Sequence, residues 1–150
     1  MSVVWKKRVQ DLINEGRLEE VFVDQFFLNR LITNSQVNLR DADALLATGS
    51  QEGAFVLAYS SARIAATAIL YSRGVRPTAR GGHWVVADLL AVVDGVEVHV
   101  VNSLNQLRIL RNEIEYPQSV STGVTREVVQ LAFETSQSLA VTCTKLMRKK

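Results

Sequence analysis

The sequence predicts an all-α protein, an up-and-down bundle of about four long helices plus one or two short helices. Apolar residues recur at intervals of three and four along most of the chain, which is the spacing of one helix face. Only two prolines occur in 150 residues, and both lie between these apolar patterns, where a missing backbone N–H does least harm. Hydrophobic residues make up 47% and charged residues 21% of the chain, as in a globular protein.

Three helices are predicted in the first half of the chain. An amphipathic pattern over residues 3–15 ends at Gly16, and a longer pattern over residues 22–48 ends at Gly49. Residues 51–73 follow a helical spacing and are rich in alanine and serine. Because small residues let another helix approach closely, this third helix is expected at the centre of the bundle.

The second half begins with a predicted loop over residues 74–82 and a short helix over residues 83–93. An Asp-Gly pair at positions 94–95, followed by alternating valines, is a hairpin pattern. The apolar residues that follow recur every three or four positions instead, which a strand cannot use. We therefore predict a helix over residues 97–115, with its first turn the weakest part, and a last helix over residues 123–148.

Length, charge and cysteine content set limits on the function. A chain of 150 residues can form a single domain with its own core, and a net charge of +2 does not by itself indicate a nucleic-acid-binding protein. The single cysteine, Cys143, excludes an internal disulfide. The sequence contains no run of roughly 18 consecutive apolar residues, so no membrane-spanning helix is predicted. We expect one domain, residues 1–150, in the cytoplasm.

The functional prediction depends on an arginine in the fifth predicted helix. Arg111 occupies the apolar stripe between Leu107 and Ile114. Its guanidinium cannot lose its charge, and burying it without a partner costs several kcal/mol. Three explanations are open at this point. The helix is rotated so that Leu110 faces the core; or Arg111 pairs with Glu115 one turn later; or Arg111 faces a groove or a second subunit and binds a phosphate.

Further polar residues surround Arg111 at the end of this helix. Arg108 lies one turn earlier and Asn112 is adjacent, while Pro117 ends the helix and allows Tyr116 to lie beside its last turn. A planar guanidinium suits a phosphate, and a tyrosine ring can stack on a base. We predict a ligand-binding cluster of these residues, with a solvated helix end as the alternative. The cluster consists of Arg108, Arg111, Asn112 and Tyr116, and the basic surface that could extend it consists of Arg73, Arg76 and Arg80.

The segment Arg111-Asn112-Glu113-Ile114-Glu115-Tyr116 resembles the motif of HEPN (higher-eukaryote and prokaryote nucleotide-binding) domains. In that motif an arginine and a polar residue precede a histidine near a helix end by about four to six residues. Several branches end the motif in an acid-Tyr pair, as "EIEYP" does here. The helix "SSARIAATAILYSRG" and the loop "VRPTARGGHWVV" also look like the preceding parts of the family. The resemblance covers about residues 24–148, which makes residues 1–20 an N-terminal helical addition.

The resemblance implies a homodimeric helical bundle whose motif helices lie close to the dimer interface. Family members include metal-independent ribonucleases of toxin–antitoxin and defence systems, non-catalytic partners of nucleotidyltransferases, and nucleotide-binding modules. By the motif match, Arg111 is the phosphate-facing arginine and Asn112 is the adjacent polar residue. Tyr116 stands where the family has its histidine.

Tyr116 argues against strong catalysis. The pKa of a tyrosine is near 10 against about 6.5 for a histidine, so only about one molecule in a thousand carries the ionised phenol at pH 7. We assign His83, at a helix start, a hydrogen-bonding or capping role. His99 lies roughly 18 Å from Arg111 along the same helix and cannot join it within one chain.

We therefore expect a HEPN-like bundle that binds RNA, a nucleotide or a partner protein and is weakly catalytic or inactive. One alternative is a metal-independent endoribonuclease in which Arg111 and Tyr116 are catalytic; another is a purely structural module. No cofactor or metal is expected, because Gly81-Gly82 lacks the spacing of a phosphate-binding loop and metal-ligand patterns are missing. The expected partners are a second copy of the chain, RNA or a nucleotide, and a nucleotidyltransferase or an antitoxin.

Overall fold

A computed structural model describes residues 2–117 and 123–148, and over this part of the chain it contains two short helices, four long ones and one small sheet. The helices are α1 (Val3–Asn14), α2 (Gln25–Ala47), α3 (Gln51–Tyr71), α4 (Gly82–Leu90), α5 (Val98–Glu115) and α6 (Arg126–Arg148). The strands β1 (Leu18–Glu20) and β2 (Val75–Pro77) pair in antiparallel orientation. The predicted all-α bundle is confirmed.

Helix α3 lies at the centre of the bundle, as its small residues predict. It packs against α2, α4, α5 and α6. By length and composition alone it could cross a membrane, but 61% of its most apolar window is buried inside the protein, as in the core helix of a soluble protein. Alanine and serine let the neighbouring helices come close to it. Its buried residues are Ala54, Phe55, Ala58, Tyr59, Ser61, Ala62, Ala65, Ala66, Ala68, Ile69, Leu70 and Tyr71.

Three buried serines join α2, α3 and α6 through hydrogen bonds. The Ser61 hydroxyl donates to the Ser35 carbonyl at 2.6 Å, and the Ser35 hydroxyl donates to the Ser61 carbonyl at 2.8 Å. The hydroxyl oxygens of Ser61 and Ser136 lie 2.7 Å apart. Because each buried hydroxyl has a partner, the small polar side chains cost little and fix the register of the three helices.

The sheet was not predicted, and the loop expected over residues 74–82 contains one of its strands. β1 and β2 have three residues each, too few for an alternating pattern to be visible in the sequence. Their pairing also joins positions far apart in the chain, such as Leu18 and Pro77. Residues 18–20 of the N-terminal segment expected to be helical therefore form a strand.

The other boundaries follow local signals. α2 begins at Gln25, three residues later than predicted, because the Asp24 carboxylate caps it by accepting from the amide of Phe26 at 2.9 Å. The hairpin reading of residues 96–100 is wrong, since α5 begins at Val98. Gly95, with φ of 97°, provides the turn that precedes it.

The N-terminal segment packs against the rest of the bundle. Trp5 and Leu12 of α1 are buried in the common core. The Arg8 Nε lies 2.7 Å from a carboxylate oxygen of Asp88 in α4. α1 therefore contributes to the position of α4, which provides residues of the site described below.

We expect Ser61→Ala to lower the free energy of unfolding by about 1–3 kcal/mol, because it leaves the buried hydroxyl of Ser136 without its partner. Ser60→Ala is the matched control: Ser60 precedes Ser61 in α3 and forms no hydrogen bond through its side chain with the described residues. Urea unfolding followed by circular dichroism measures both variants. Equal stability of the two would contradict a structural role of the serine contact.

Candidate anion-binding site

Arg111 lies near the end of the apolar stripe of α5, one turn before Ile114, which is partly buried against the core. The earlier residues of this stripe are buried, namely Val100, Leu104 and Leu107. In contrast, 24% of the Arg111 side chain is exposed to solvent. One terminal nitrogen of Arg111, Nη2, is 3.0 Å from a carboxylate oxygen of Glu115. The Nε atom is buried and has no hydrogen-bond partner among the described residues. The ion pair expected one turn away therefore forms, but it leaves a buried donor unused.

Helix α3 contains a second arginine with a buried and unused Nε donor. Arg63 is half-buried, and its Nε also lacks a hydrogen-bond partner within residues 2–117 and 123–148. Burial lowers the pKa of Arg63, and the positive charge of Arg111 lowers it as well, so the two guanidinium groups are near enough to repel each other. Both guanidinium groups stay charged at neutral pH, because arginine is not deprotonated in proteins.

Tyr59 lies between the two arginines. It precedes Arg63 by one turn of α3, so the two side chains share a helix face. The Cζ atom of Arg111 is 5.8 Å from the centre of the Tyr59 ring, a cation–π distance. Burial raises the pKa of the Tyr59 phenol, although Arg63 and Arg111 oppose the shift. Tyr59 is therefore a neutral hydroxyl at physiological pH.

His83, in the first turn of α4, lies beside Tyr59. Its Nδ1 is 3.2 Å from the Tyr59 hydroxyl, in agreement with the predicted hydrogen-bonding role. Burial, with the charges of Arg63, Arg111 and Arg108, lowers the pKa of His83 to about 4. The imidazole is therefore neutral at pH 7.

Two glycines allow α4 to begin where it does. A Cβ on Gly81 would overlap the carbonyl oxygen of Arg17, and Gly82 has φ of 59°. Gly81-Gly82, which lacks the spacing of a phosphate-binding loop, thus has a structural role. It lets the chain pass close to the segment before β1 and start α4 with His83 facing Tyr59.

Arg108 completes the group, which we call the arginine site: Tyr59, Arg63, His83, Arg108 and Arg111. The charge of Arg108 acts on both Tyr59 and His83. Its Nε and Nη2 donate to the side-chain oxygen of Asn105 at 3.1 and 3.0 Å. Neither Arg63 nor Arg108 forms an ion pair in the part of the chain that the structure describes, so Glu115 is opposed by three cations.

This arrangement suits an oxyanion. Half-buried cations without partners lower the stability of the fold, and an anion with several oxygen acceptors would relieve both the repulsion and the unused Nε donors. Arginine forks match the oxygens of phosphate in particular. Among residues 2–117 and 123–148, no group of three or more His, Cys, Asp and Glu side chains is placed to hold a metal ion.

The structure brings together two of the four residues predicted to bind a ligand. Arg108 and Arg111 belong to the arginine site, whereas Asn112 and Tyr116 are exposed, Tyr116 at 70%. The Tyr116 amide donates to the Asn112 carbonyl at 2.8 Å, which ends α5. Neither side chain forms a hydrogen bond or ring contact with the described residues. The compact group expected at the helix end is therefore replaced by one in which Arg108 and Arg111 of α5 lie near residues of α3 and α4.

The predicted basic surface is distributed over separate contacts. The Cζ atom of Arg73 lies 5.6 Å from the centre of the Trp5 ring. Arg76 pairs with Glu19 across the small sheet at 2.6 Å, and its charge is therefore largely compensated. Arg80 is exposed. None of these three arginines contributes to the pKa shifts of Tyr59, Arg63 or His83.

Sequence reasoning did not assign Tyr59 and Arg63 to a site, although one signal was present. Arg63 is the single charged residue between Glu52 and Arg73, in a helix that is otherwise mostly apolar and buried. A cation on a helix that is buried on nearly every side needs a partner from another element. The same argument that singled out Arg111 applies to Arg63.

Comparison with known proteins establishes the fold and leaves the function open. No family model matches the chain, and no curated protein matches it. The structure is similar to the crystal structure of TT1696 from Thermus thermophilus, with a TM-score of 0.65 and 23% sequence identity. The similarity covers 79% of this chain and 96% of that one. At this level of identity the two chains share a fold, and the HEPN resemblance stays a prediction.

We expect His83 to titrate near pH 4 in the folded protein, compared with 6.5 for an ordinary histidine. Between these values the unfolded chain binds a proton that the folded chain does not, so stability rises with pH through this window and is lost as the pH falls. Chemical denaturation at pH 4.5, 5.5 and 7 measures the effect. His83→Gln keeps a hydrogen-bonding side chain and removes the titration; if its stability falls as steeply as that of the wild type, the low pKa is contradicted.

Proposed function

We propose that the protein is a HEPN-like bundle that binds the phosphate of RNA or of a nucleotide in the arginine site. One observation carries this proposal: Arg63 and Arg111 come from different helices, the charge of Arg111 lowers the pKa of Arg63, and each has a buried Nε–H without a hydrogen-bond partner among the described residues. An anion that accepted hydrogen bonds from these two Nε donors would remove the cost of leaving them buried and unpaired, which supports an anion-binding site.

Accessibility supports the same proposal. The Arg111 side chain is 24% exposed and that of Glu115 is 35% exposed, so a ligand can approach from solvent. Glu115 contacts Arg111 through one carboxylate oxygen at 3.0 Å, and a phosphate with more oxygens can engage both the fork of Arg111 and the Nε of Arg63. Asn112 and Tyr116, exposed at the end of the same helix, are available to a ligand longer than one nucleotide.

The resemblance supports the remaining parts of the proposal. It favours a cytoplasmic homodimer with a nucleotidyltransferase or an antitoxin as partner protein. Light scattering of the purified chain measures whether it is a dimer. The genomic neighbours of its gene indicate which partner protein it has. The structure of a single chain supports the phosphate site independently of either.

We expect Arg111→Ala and Arg63→Ala each to weaken the binding of a fluorescein-labelled RNA tenfold or more, because each removes a charge-assisted hydrogen bond of about 1.5–3 kcal/mol. Fluorescence anisotropy at two salt concentrations measures this, and the affinity of the wild type should fall as salt rises. Competition by unlabelled AMP distinguishes a nucleotide site from one that needs a strand.

Arg40→Ala is the matched control for these variants. Arg40 is exposed on α2 and forms no ion pair within the described residues, so the substitution removes the same charge from a different surface. An equal loss of affinity in Arg40→Ala would show that binding depends on total charge. Unchanged binding in both Arg63→Ala and Arg111→Ala, with a normal melting curve, would overturn the proposal and favour a purely structural role.

A second candidate function, metal-independent endoribonuclease, is favoured by the position of His83. In such a reaction the 2′-oxygen attacks the adjacent phosphorus, the bond from phosphorus to the 5′-oxygen breaks, and the leaving oxygen takes up a proton. The neutral His83 imidazole can accept the proton of the 2′-hydroxyl, and the arginines can stabilise the phosphate charge. In this candidate mechanism the general base is His83, whereas the sequence predicted Tyr116. A base with a pKa of about 4 is weak, which favours slow cleavage.

We expect any cleavage of total RNA in the presence of EDTA to fall about a hundredfold or more in His83→Ala, because general base catalysis contributes about 10²–10⁴-fold. Tyr116→Phe should leave it unchanged, since the Tyr116 side chain is exposed and forms no hydrogen bond with the described residues. Gel analysis of a defined RNA measures both. Cleavage that survives in His83→Ala at the wild-type rate would assign the activity to a contaminant or to another residue.

A further inference from the structure

A groove between α4 and α5 adjoins the arginine site. Its volume is about 190 Å³, and it is lined by Trp84, Ala87, Asp88, Val101, Asn102 and Asn105. Two connections join it to the arginine site: Trp84 follows His83 in the chain, and the side chain of Asn105 accepts both hydrogen bonds of Arg108. A ligand with its phosphate among the arginines therefore has this groove as a neighbour.

Trp84 is an aromatic side chain held at the surface. It is 39% exposed. The Cζ atoms of Arg8 and Arg17 lie 5.9 and 5.3 Å from the centre of its ring, within cation–π distance. Arg8 is itself fixed by Asp88 at 2.7 Å. The indole is thus oriented by its neighbours while part of its surface stays accessible, which is the property of a stacking platform.

The groove also contains unused amide groups. Asn102 is exposed, and its side chain forms no hydrogen bond with the described residues. Asn105 uses its oxygen to accept from Arg108, which leaves its NH₂ group available. Asparagine side chains offer a donor and an acceptor side by side, the combination that reads the edge of a nucleobase.

Charge and size separate this groove from the phosphate site. Asp88 contributes a carboxylate to its lining, but this carboxylate is paired with Arg8 at 2.7 Å, so that Arg8 is already engaged and is not free for a second phosphate. The volume is below the roughly 300–1,000 Å³ of a pocket for a drug-sized ligand, so it suits a single ring system. Both features favour a planar, uncharged, hydrogen-bonding group.

We propose that this groove is a nucleobase subsite, in which Trp84 stacks on an unpaired base and the amides of Asn102 and Asn105 bind its edge. The inference rests on the proposed function, because the base enters as part of the ligand whose phosphate occupies the arginine site. It adds a reason for single-stranded RNA to bind, since a paired base cannot enter the groove.

Binding of two strands by fluorescence anisotropy tests the inference. One is a labelled oligoadenylate, and the other is a strand of equal length with the same phosphates and sugars but without bases. We expect Trp84→Ala to weaken the binding of the oligoadenylate at least fivefold, which is about the smallest loss expected when one stacking contact is removed. The affinity for the base-free strand should be unchanged. Trp84→Phe, which keeps an aromatic ring, should retain most of the affinity.

Two further measurements keep the test decisive if Trp84→Ala does not fold. Asn102→Ala should change the preference among oligomers of adenylate, uridylate and cytidylate, whereas Asn34→Ala, at an exposed position on α2, should not. Binding should also quench the tryptophan emission of the wild type through Trp84, because Trp5 is buried and only 4% exposed.

The outcomes separate this inference from the proposed function. If both strands bind the wild type equally and Arg111→Ala weakens both, the arginine site stands and the base subsite is overturned. Oligoadenylate that binds without any tryptophan quenching or effect of Trp84→Ala also overturns the subsite. If neither strand binds but AMP does, the arginine site stands as a nucleotide site and the subsite for an unpaired base of RNA is overturned; if AMP also fails to bind, both proposals fail.

Discussion

The arrangement of charge between α3 and α5 constrains the rest of this structure. Arg63 and Arg111 bring two permanent cations to the edge of the core, and Glu115 compensates one of them through one oxygen. A lysine or histidine in such a place could lose its proton, but a guanidinium cannot, so the repulsion persists at every physiological pH. The aromatic face of Tyr59 in α3 lies within cation–π distance of Arg111 in α5, and this contact lowers the energetic cost of burying the guanidinium.

Contacts elsewhere in the bundle hold in place the helices that carry these cations. Small residues along α3 allow helices to approach it on several sides, and the buried serine contacts centred on Ser61 fix α2 and α6 against it. The segment before α2 also has a part in the site. Arg8 and Arg17 contact Trp84, and Gly81 passes close to the Arg17 carbonyl, so the N-terminal residues help to position α4 and His83.

Local patterns predicted the helices and failed where partners are distant in the chain. The spacing of apolar residues identified α5 in spite of the hairpin-like Asp-Gly pair before it, since a period of 3.6 residues is sustained over several turns. The strands were missed because three residues are too few for a pattern and their pairing joins Leu18 to Pro77. In the same way, Tyr116 was expected beside Arg111 by proximity in sequence, yet its side chain is exposed.

By itself the sequence determined the all-α class, the central position of α3 and the anomaly of Arg111, because periodicity states which face of a helix is buried. It could not state which helices face each other. The meeting of Arg63, His83 and Arg111 was decided only by the tertiary structure, through the packing of α4 and α5 on α3. Charge and burial interact across space, so a site built from three helices becomes visible only when their faces are brought into contact.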